Sequence, residues 1–256
     1  MIRGVPELPD LGPVVREQPY PLLFATVSGA HLYGFPSRDS DVDLRGVHLL
    51  PLREVVGLTP GPETVARSWV REGVEMDLVT HDLTKFARML LRPNGYVLEQ
   101  LLSPLIAHST PVHAGLVALA PRLLARHHAR HYRGFARTQT GLFEKTGELK
   151  PLLYAFRVLM TGVHLMRERE LQADLPSLLA AGGAPTYVPR LVAAKAAAEH
   201  GLLSEVEDTP PVSRILADLG TLHATLDTAE ERTTLPADPA DASAALNDLV
   251  LTARLG

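Results

Sequence analysis

The sequence contains no cysteine. That excludes a disulfide framework, a thiol nucleophile and a Cys-ligated zinc, so any metal must sit on oxygen or imidazole. Aromatic residues are scarce, 5% of the chain, which argues against the stacking platform of a sequence-reading single-strand RNA binder. No stretch approaches the roughly 18 consecutive apolar residues that a membrane span needs. The opening MIRGVPELPD lacks the apolar centre of a signal peptide, so the expected location is the cytoplasm. There is no convincing internal repeat and no low-complexity tract. What remains is an ordinary globular mix. Apolar residues make up 46% and charged residues 21%, against about 45–50% and 25% in typical domains, which excludes a disordered or fibrous chain. At 256 residues the length suits one large domain or two small ones.

Net charge is small, 25 − 29 = −4, but it is unevenly placed. Between His113 and Phe143 there is no acid, yet Arg122, Arg126, Arg130, Arg133 and Arg137 all fall there. Spacings of 4, 4, 3 and 4 would put all five on one side of a continuous helix. Such a stripe either grips a triphosphate or an RNA backbone, or forms a solubilising face paired with an acidic tail. Both readings stand, because Glu199 to Asp241 carries ten acids against only Arg214 and Arg232.

Periodicity changes along the chain. A proline-rich lead-in occupies the first 21 residues. Leu22 to Val27 reads as a buried strand. Asp41 to Leu50 alternates, with Val42 and Leu44 on one face and Asp41, Asp43 and Arg45 on the other. Glu63 to Val70 and Val74 to Thr80, linked by Arg71-Glu72-Gly73, predict an antiparallel hairpin. From an Asp82 cap onward the period is helical, interrupted at Pro93-Asn94-Gly95. Further helices are expected over roughly 113–140, 150–170, 188–200, 211–226 and 241–254. Strands first and helices afterwards describe an α+β unit followed by an all-helical one. The boundary is placed at about residue 108, giving a core over 1–108 and a helical domain over 109–256. His127, His128 and His131 have no nearby acid and predict a wet helix face rather than a zinc site.

The chemistry concentrates in Thr26 to Val47, TVSGAHLYGFPSRDSDVDLRGV. Residues two apart on a strand share a face, so Asp41 and Asp43 present two carboxylates with Cα atoms about 6.5 Å apart. Carboxylates that close need a cation between them, and hard oxygen donors suit Mg2+ or Mn2+. The preceding strand and glycine turn offer backbone N–H groups for phosphate oxygens. Metal, acids and phosphate cradle together point to nucleotidyl transfer, with one ion on a triphosphate and a second activating the incoming hydroxyl about 3.5–4 Å away. Asp77, alone among the apolar neighbours Met76, Leu78 and Val79, is the candidate third ligand. Arg45 continues the Asp41–Asp43 face and either contacts the triphosphate or forms a salt bridge to one of those acids.

These residues resemble the nucleotidyltransferase superfamily of DNA polymerase β, with its glycine turn, short helix, Asp-x-Asp and later third Asp. More narrowly, SGAHLYGFPSRDSDVDLRGV, DLVTHDLTKFARMLL and YVLEQLLSP resemble bacterial nucleotidyltransferases associated with RNA repair. The likeness covers about residues 22–104 well. It implies a polymerase-β-like α+β core with a small mixed or antiparallel sheet, followed by the helical domain. It further implies catalysis by Asp41, Asp43 and Asp77 as ligands of two Mg2+ or Mn2+ ions, and nucleotide contacts from Ser28, Gly29, Ala30, Ser40 and Arg45. Lys150 and Arg157, on a basic helix after the core, are expected to contact the nucleotide as well. The implied reaction moves an NMP from an NTP, ATP by default, to a hydroxyl: an RNA end, a protein or a small molecule. One departure stands out. The family's second serine falls at Ala30, losing a phosphate contact worth about 1 kcal/mol and leaving open a silent nucleotide-binding module.

Overall fold

A computed structural model describes residues 8–197 and 201–256. The first seven residues of the lead-in and the last three of the helix expected over 188–200 lie outside the described residues. In chain order the elements are α1 (Gly12–Arg16), β1 (Leu22–Val27), α2 (Gly29–Tyr33), β2 (Val42–His48), α3 (Arg53–Val56), β3 (Thr64–Arg71), β4 (Val74–Asp82), α4 (Leu83–Leu90), α5 (Gly95–Leu101) and β5 (Ile106–Ser109). Helices α6 (Pro111–Leu123), α7 (His128–Thr146), α8 (Leu149–Glu168), α9 (Leu175–Ala180), α10 (Val188–Ala197), α11 (Val212–Arg232) and α12 (Ser243–Leu255) follow. None of the described helices is long and apolar enough to cross a membrane.

The five strands form one mixed sheet in the order β3-β4-β2-β1-β5. β2 runs antiparallel to β1 and parallel to β4, so Asp43 lies opposite Asp77. The expected β3–β4 hairpin is present, closed by a two-residue turn in which Glu72 and Gly73 both have positive φ, 54° and 83°. That backbone matches the right-handed twist of the flanking strands. Along β4, Met76, Leu78, Thr80 and Asp82 are buried in alternation with half-exposed neighbours. Leu11 and Val14, around α1, pack with Leu22, Ala25, Val27, Val42, Leu44, Met76 and Leu78 on one face of the sheet. Phe24 projects from β1 to meet Phe86 of α4 edge-on at 5.4 Å and His113 of α6 in a stack at 4.4 Å.

The fold is α+β, but its two compact units do not divide at one point in the chain. The sheet unit comprises 8–32, 41–124 and 238–256, and the helical unit 33–40 and 125–237. The physical reasons are local. Within the sheet unit, α12 packs on α6 and α4, and Arg254 holds the carboxylate that caps α4. Within the helical unit, Tyr33 and Phe35 meet Tyr154 of α8 edge-on at 5.3 and 5.7 Å, and Lys195 Nζ donates to Ser37 Oγ at 3.1 Å. Helices α7 and α8 pack along each other, with α11 against α8.

Residues 113–140 do not form one helix, so the five arginines do not line one face. The chain extends at Leu124 (ψ 126°) and restarts at His128. Arg126 N–H donates to the Pro236 carbonyl and His127 N–H to that of Ala237, so the break is satisfied by chain far away in sequence. Arg122 belongs to the sheet unit and Arg126, Arg130, Arg133 and Arg137 to the helical unit. Arg122 donates to the Asp241 carbonyl, while Arg133 pairs with Asp227 at 2.7 Å and Glu230 at 2.5 Å. Arg126, Arg130 and Arg137 are exposed. His128 is buried rather than wet. Its Nδ1 donates to the Ala125 carbonyl at 2.9 Å, and burial pushes its pKa down to about 4.

Candidate active site

The sheet unit brings Asp41, Asp43, Arg45, Asp77, Ser28 and Gly29 to one end of β2. Val42 and Leu44 point into the core, so the intervening Asp43 and Arg45 turn to the other face. Parallel pairing then sets Asp77 beside Asp43 on that face. Asp41 is exposed just before the strand. All three acids line an open cleft of about 410 Å3, shared with Ser68, Trp69, Val70, Glu75 and Met76.

Arg45 is the centre of this arrangement. Its Nη2 donates to Asp43 Oδ1 at 2.6 Å and to Asp77 Oδ2 at 2.9 Å. Nη1 donates to the carbonyls of Leu44 and Asp77, each at 2.9 Å, and Nε to the Tyr96 hydroxyl of α5 at 2.8 Å. Burial opposes its charge, but Tyr96, Asp43 and Asp77 outweigh burial and hold its pKa above the ordinary value. Arg45 thus forms the salt bridge that its strand phase left open, and to both acids. The remaining Asp77 oxygen, Oδ1, accepts from Ser68 Oγ at 2.9 Å.

The turn after β1 is built around close approach. Ser28 N–H donates to the Asp43 carbonyl at 2.8 Å. The Ser28 hydroxyl is fully buried and has no hydrogen-bond partner among the described residues. Gly29 has φ +62°, and a Cβ there would lie 1.9 Å from Asp43 Oδ2. Gly29→Ala therefore adds backbone strain and expels the Asp43 carboxylate from its place. We expect it to lower nucleotide transfer by at least about 100-fold, the scale of a misplacement of roughly 1 Å in a reacting group. A radiolabel transfer assay checks this, with circular dichroism to show that the fold persists; unimpaired transfer would mean that this contact is not needed.

The other expected nucleotide contacts divide between the two units. Ala30 is buried in α2 of the sheet unit. Ser40 belongs to the helical unit, where its Oγ accepts from Ser37 N–H at 2.9 Å. Lys150 and Arg157 are on α8 of that unit. Arg157 is buried, with its guanidinium 3.6 Å from the centre of the Tyr33 ring, a cation–π contact. Two further residues, Ser68 and Tyr96, contribute to the site. Ser68 follows from the hairpin turn, since Arg71 opposite Val74 places Ser68 opposite Asp77. Tyr96 carries no such signal, because its approach to Arg45 depends on how α5 packs.

The donor chemistry suits a hard divalent cation. Asp41 and Asp43 supply oxygen ligands, and Mg2+ commonly takes one or two carboxylates and completes its shell with phosphates and water. Arg45 Nη2 stands between Asp43 and Asp77. Among the described residues no three His, Asp or Glu side chains gather to hold a metal.

The chain is similar to several known proteins. A family model described as the RNA repair pathway DNA polymerase beta family matches residues 6–252. The uncharacterized protein MJ0002 of Methanocaldococcus jannaschii is 30% identical over 161 residues, covering 60% of this chain and 64% of that protein. The match thus spans less than two thirds of that relative's length. A nucleotidyltransferase-like protein from Exiguobacterium sibiricum, known from a crystal structure, is 13% identical, with 85% of this chain and 72% of that one covered at a TM-score of 0.33.

Proposed function

The chain belongs to the RNA repair pathway DNA polymerase beta family, and from that premise we propose that it transfers an NMP, from ATP by default, to a hydroxyl acceptor, an RNA end, with release of pyrophosphate. The observation that carries this reading is the register of β2 and β4. It sets Asp43 beside Asp77 at the mouth of one cleft, next to the buried Ser28 hydroxyl and the Gly29 turn.

The residues divide the work. Asp41 and Asp43 would hold Mg2+ or Mn2+, which when bound neutralises phosphate charge and polarises the phosphoryl oxygens. The Ser28 hydroxyl and the backbone N–H groups of Gly29 and Ala30 orient the triphosphate for in-line attack. Asp77, held by Arg45 and Ser68, accepts the proton of the attacking hydroxyl as the oxygen bonds to the α-phosphorus. The bond from the α-phosphorus to the bridging oxygen breaks, and pyrophosphate leaves. Within the helical unit, the exposed Arg126, Arg130 and Arg137 attract the RNA backbone.

Incubation with Mn2+ and each α-labelled NTP, with and without an RNA bearing a free 3′ hydroxyl, tests this. Label should move to the RNA, and RNA binding should weaken steeply as salt is raised. Labelling of the protein or of a small hydroxyl compound instead would reassign the acceptor. Nucleotide binding with no transfer under any condition would make the chain a silent nucleotide-binding module.

A further inference from the structure

We propose that Arg67 and Trp69 of β3 form the seat of the acceptor: the terminal nucleotide of a single-stranded RNA layers onto this stacked pair while its hydroxyl reaches Asp77. The inference rests on the nucleotidyl-transfer reading above and names residues that select the acceptor. β3 is the outermost strand on its side of the sheet. It borders the cleft of the three acids, which Ser68, Trp69 and Val70 line.

The register fixes what each residue offers. Ser68 lies opposite Asp77 and Val70 opposite Glu75, so both stand on the face of the acids. Ser68 Oγ donates to Asp77 Oδ1 at 2.9 Å, and Val70 is 65% exposed, an apolar wall that suits a ribose. Trp69, opposite Met76, packs at the margin of the apolar core and remains half-buried. Arg67 is exposed, with its guanidinium 4.5 Å from the centre of the Trp69 ring, a cation–π pair that holds the guanidinium in place. Among the described residues no carboxylate pairs with Arg67, whereas Arg71 is engaged with Glu17 at 3.3 Å. Arg67 and Trp69 stand on the other face of the sheet, so the acceptor crosses the edge of β3 at Ala66 and Ser68, which are small and exposed.

Charge decides the kind of acceptor. Asp41, Asp43, Glu75 and Asp77 line the cleft against the buried Arg45. A phosphate is repelled there unless a divalent cation accompanies it, whereas a neutral hydroxyl enters freely. Arg67, on the edge strand outside, attracts the phosphodiester that follows. The 3′ end of a nucleic acid has this polarity, an uncharged hydroxyl first and a phosphate behind the terminal nucleoside. Unpaired RNA bases stack on guanidinium planes as on aromatic rings, and one such plane seats one base without reading sequence.

Trp69 is the only tryptophan, so its emission in the full chain reports whether the seat is filled. Titration with a single-stranded oligouridylate bearing a free 3′ hydroxyl should shift this emission to the blue as water leaves the ring. In NMP transfer, Arg67→Gln should raise the KM for the RNA about tenfold, the scale of one lost base stack, and leave the KM for ATP unchanged. It should also flatten the slope of log affinity against log salt by about 0.7, one phosphate contact on a single strand. Arg67→Lys should restore the slope but not the KM, because it keeps the charge and loses the plane. Arg67 is exposed, so both variants should keep the fold, which circular dichroism checks. Transfer to RNA with Trp69 emission unmoved and the RNA KM of Arg67→Gln unaltered would overturn this inference and leave the proposed function standing. No transfer and no change in emission would overturn both.

Discussion

Asp43→Asn should lower NMP transfer by about three orders of magnitude, close to 4 kcal/mol at 1.36 kcal/mol per tenfold. That is the scale of charge stabilisation a metal contributes to phosphoryl chemistry. Asp43 is engaged on both sides: Oδ1 accepts from Arg45, and Oδ2 closes on the space beside Gly29. Asparagine has nearly the same shape but one oxygen and no charge, so it can satisfy Arg45 or a metal and not both. Because Asp43 is only partly buried, the cost in stability should be small, and circular dichroism should show an unchanged fold. Turnover retained in this variant would remove Asp43 from the reaction.

The largest effect on stability is expected at Arg254→Met, far from the acids. Arg254 Nη2 lies 2.6 and 2.7 Å from the two oxygens of Asp82 and 2.8 Å from Thr84 Oγ1, and Nη1 donates to the Leu50 carbonyl at 3.0 Å. Asp82 in turn caps α4 by accepting from Thr84 N–H. Both partners are almost wholly buried, 7% and 4% exposed, and breaking such a pair costs about 3–5 kcal/mol because a charge is left without its partner. Trp69 is the only tryptophan and lies on β3, so its fluorescence in a urea titration reports the sheet unit. A loss below about 1 kcal/mol would show that α12 is held by its apolar contacts alone.

The same pair gives a pH signature. Burial raises the Asp82 pKa, but Arg254 and the N–H groups of Leu50 and Thr84 outweigh it and hold the carboxyl below its ordinary value. A depressed carboxyl stabilises the fold at pH above its unfolded value, about 3.9, and that contribution is lost as pH falls through the folded value. The stability gap between the native chain and Arg254→Met should therefore be full at neutral pH and narrow below about pH 4.

Legibility in the sequence followed the range of the interactions. The strands β1 to β4, the hairpin and the common face of Asp43 and Arg45 rest on alternation and turn chemistry within ten residues or so. Asp82 announced itself as a cap because its partner is Thr84, two residues away. β5 was invisible: IAHS is four residues long with no alternation, and it is a strand only because β1 has an edge to pair with. The break at 124–127 carries no glycine or proline of its own, so the arginine spacing read as one helix, although carbonyls at 236 and 237 had replaced the helical bonds.

Residue types and spacing by themselves determined that this chain has a mixed α+β architecture, a pair of strand acids in phase, a third acid in a neighbouring strand and a glycine where the backbone must come close. Only the tertiary structure decided that β2 and β4 run parallel in the register that joins Asp43 to Asp77, that Arg45 stands between them, and that residues 33–40 and 238–256 change units. The reason is physical: strand phase and caps are set by neighbours along the chain, whereas register, ion pairing and unit membership are set by which distant surfaces bury one another.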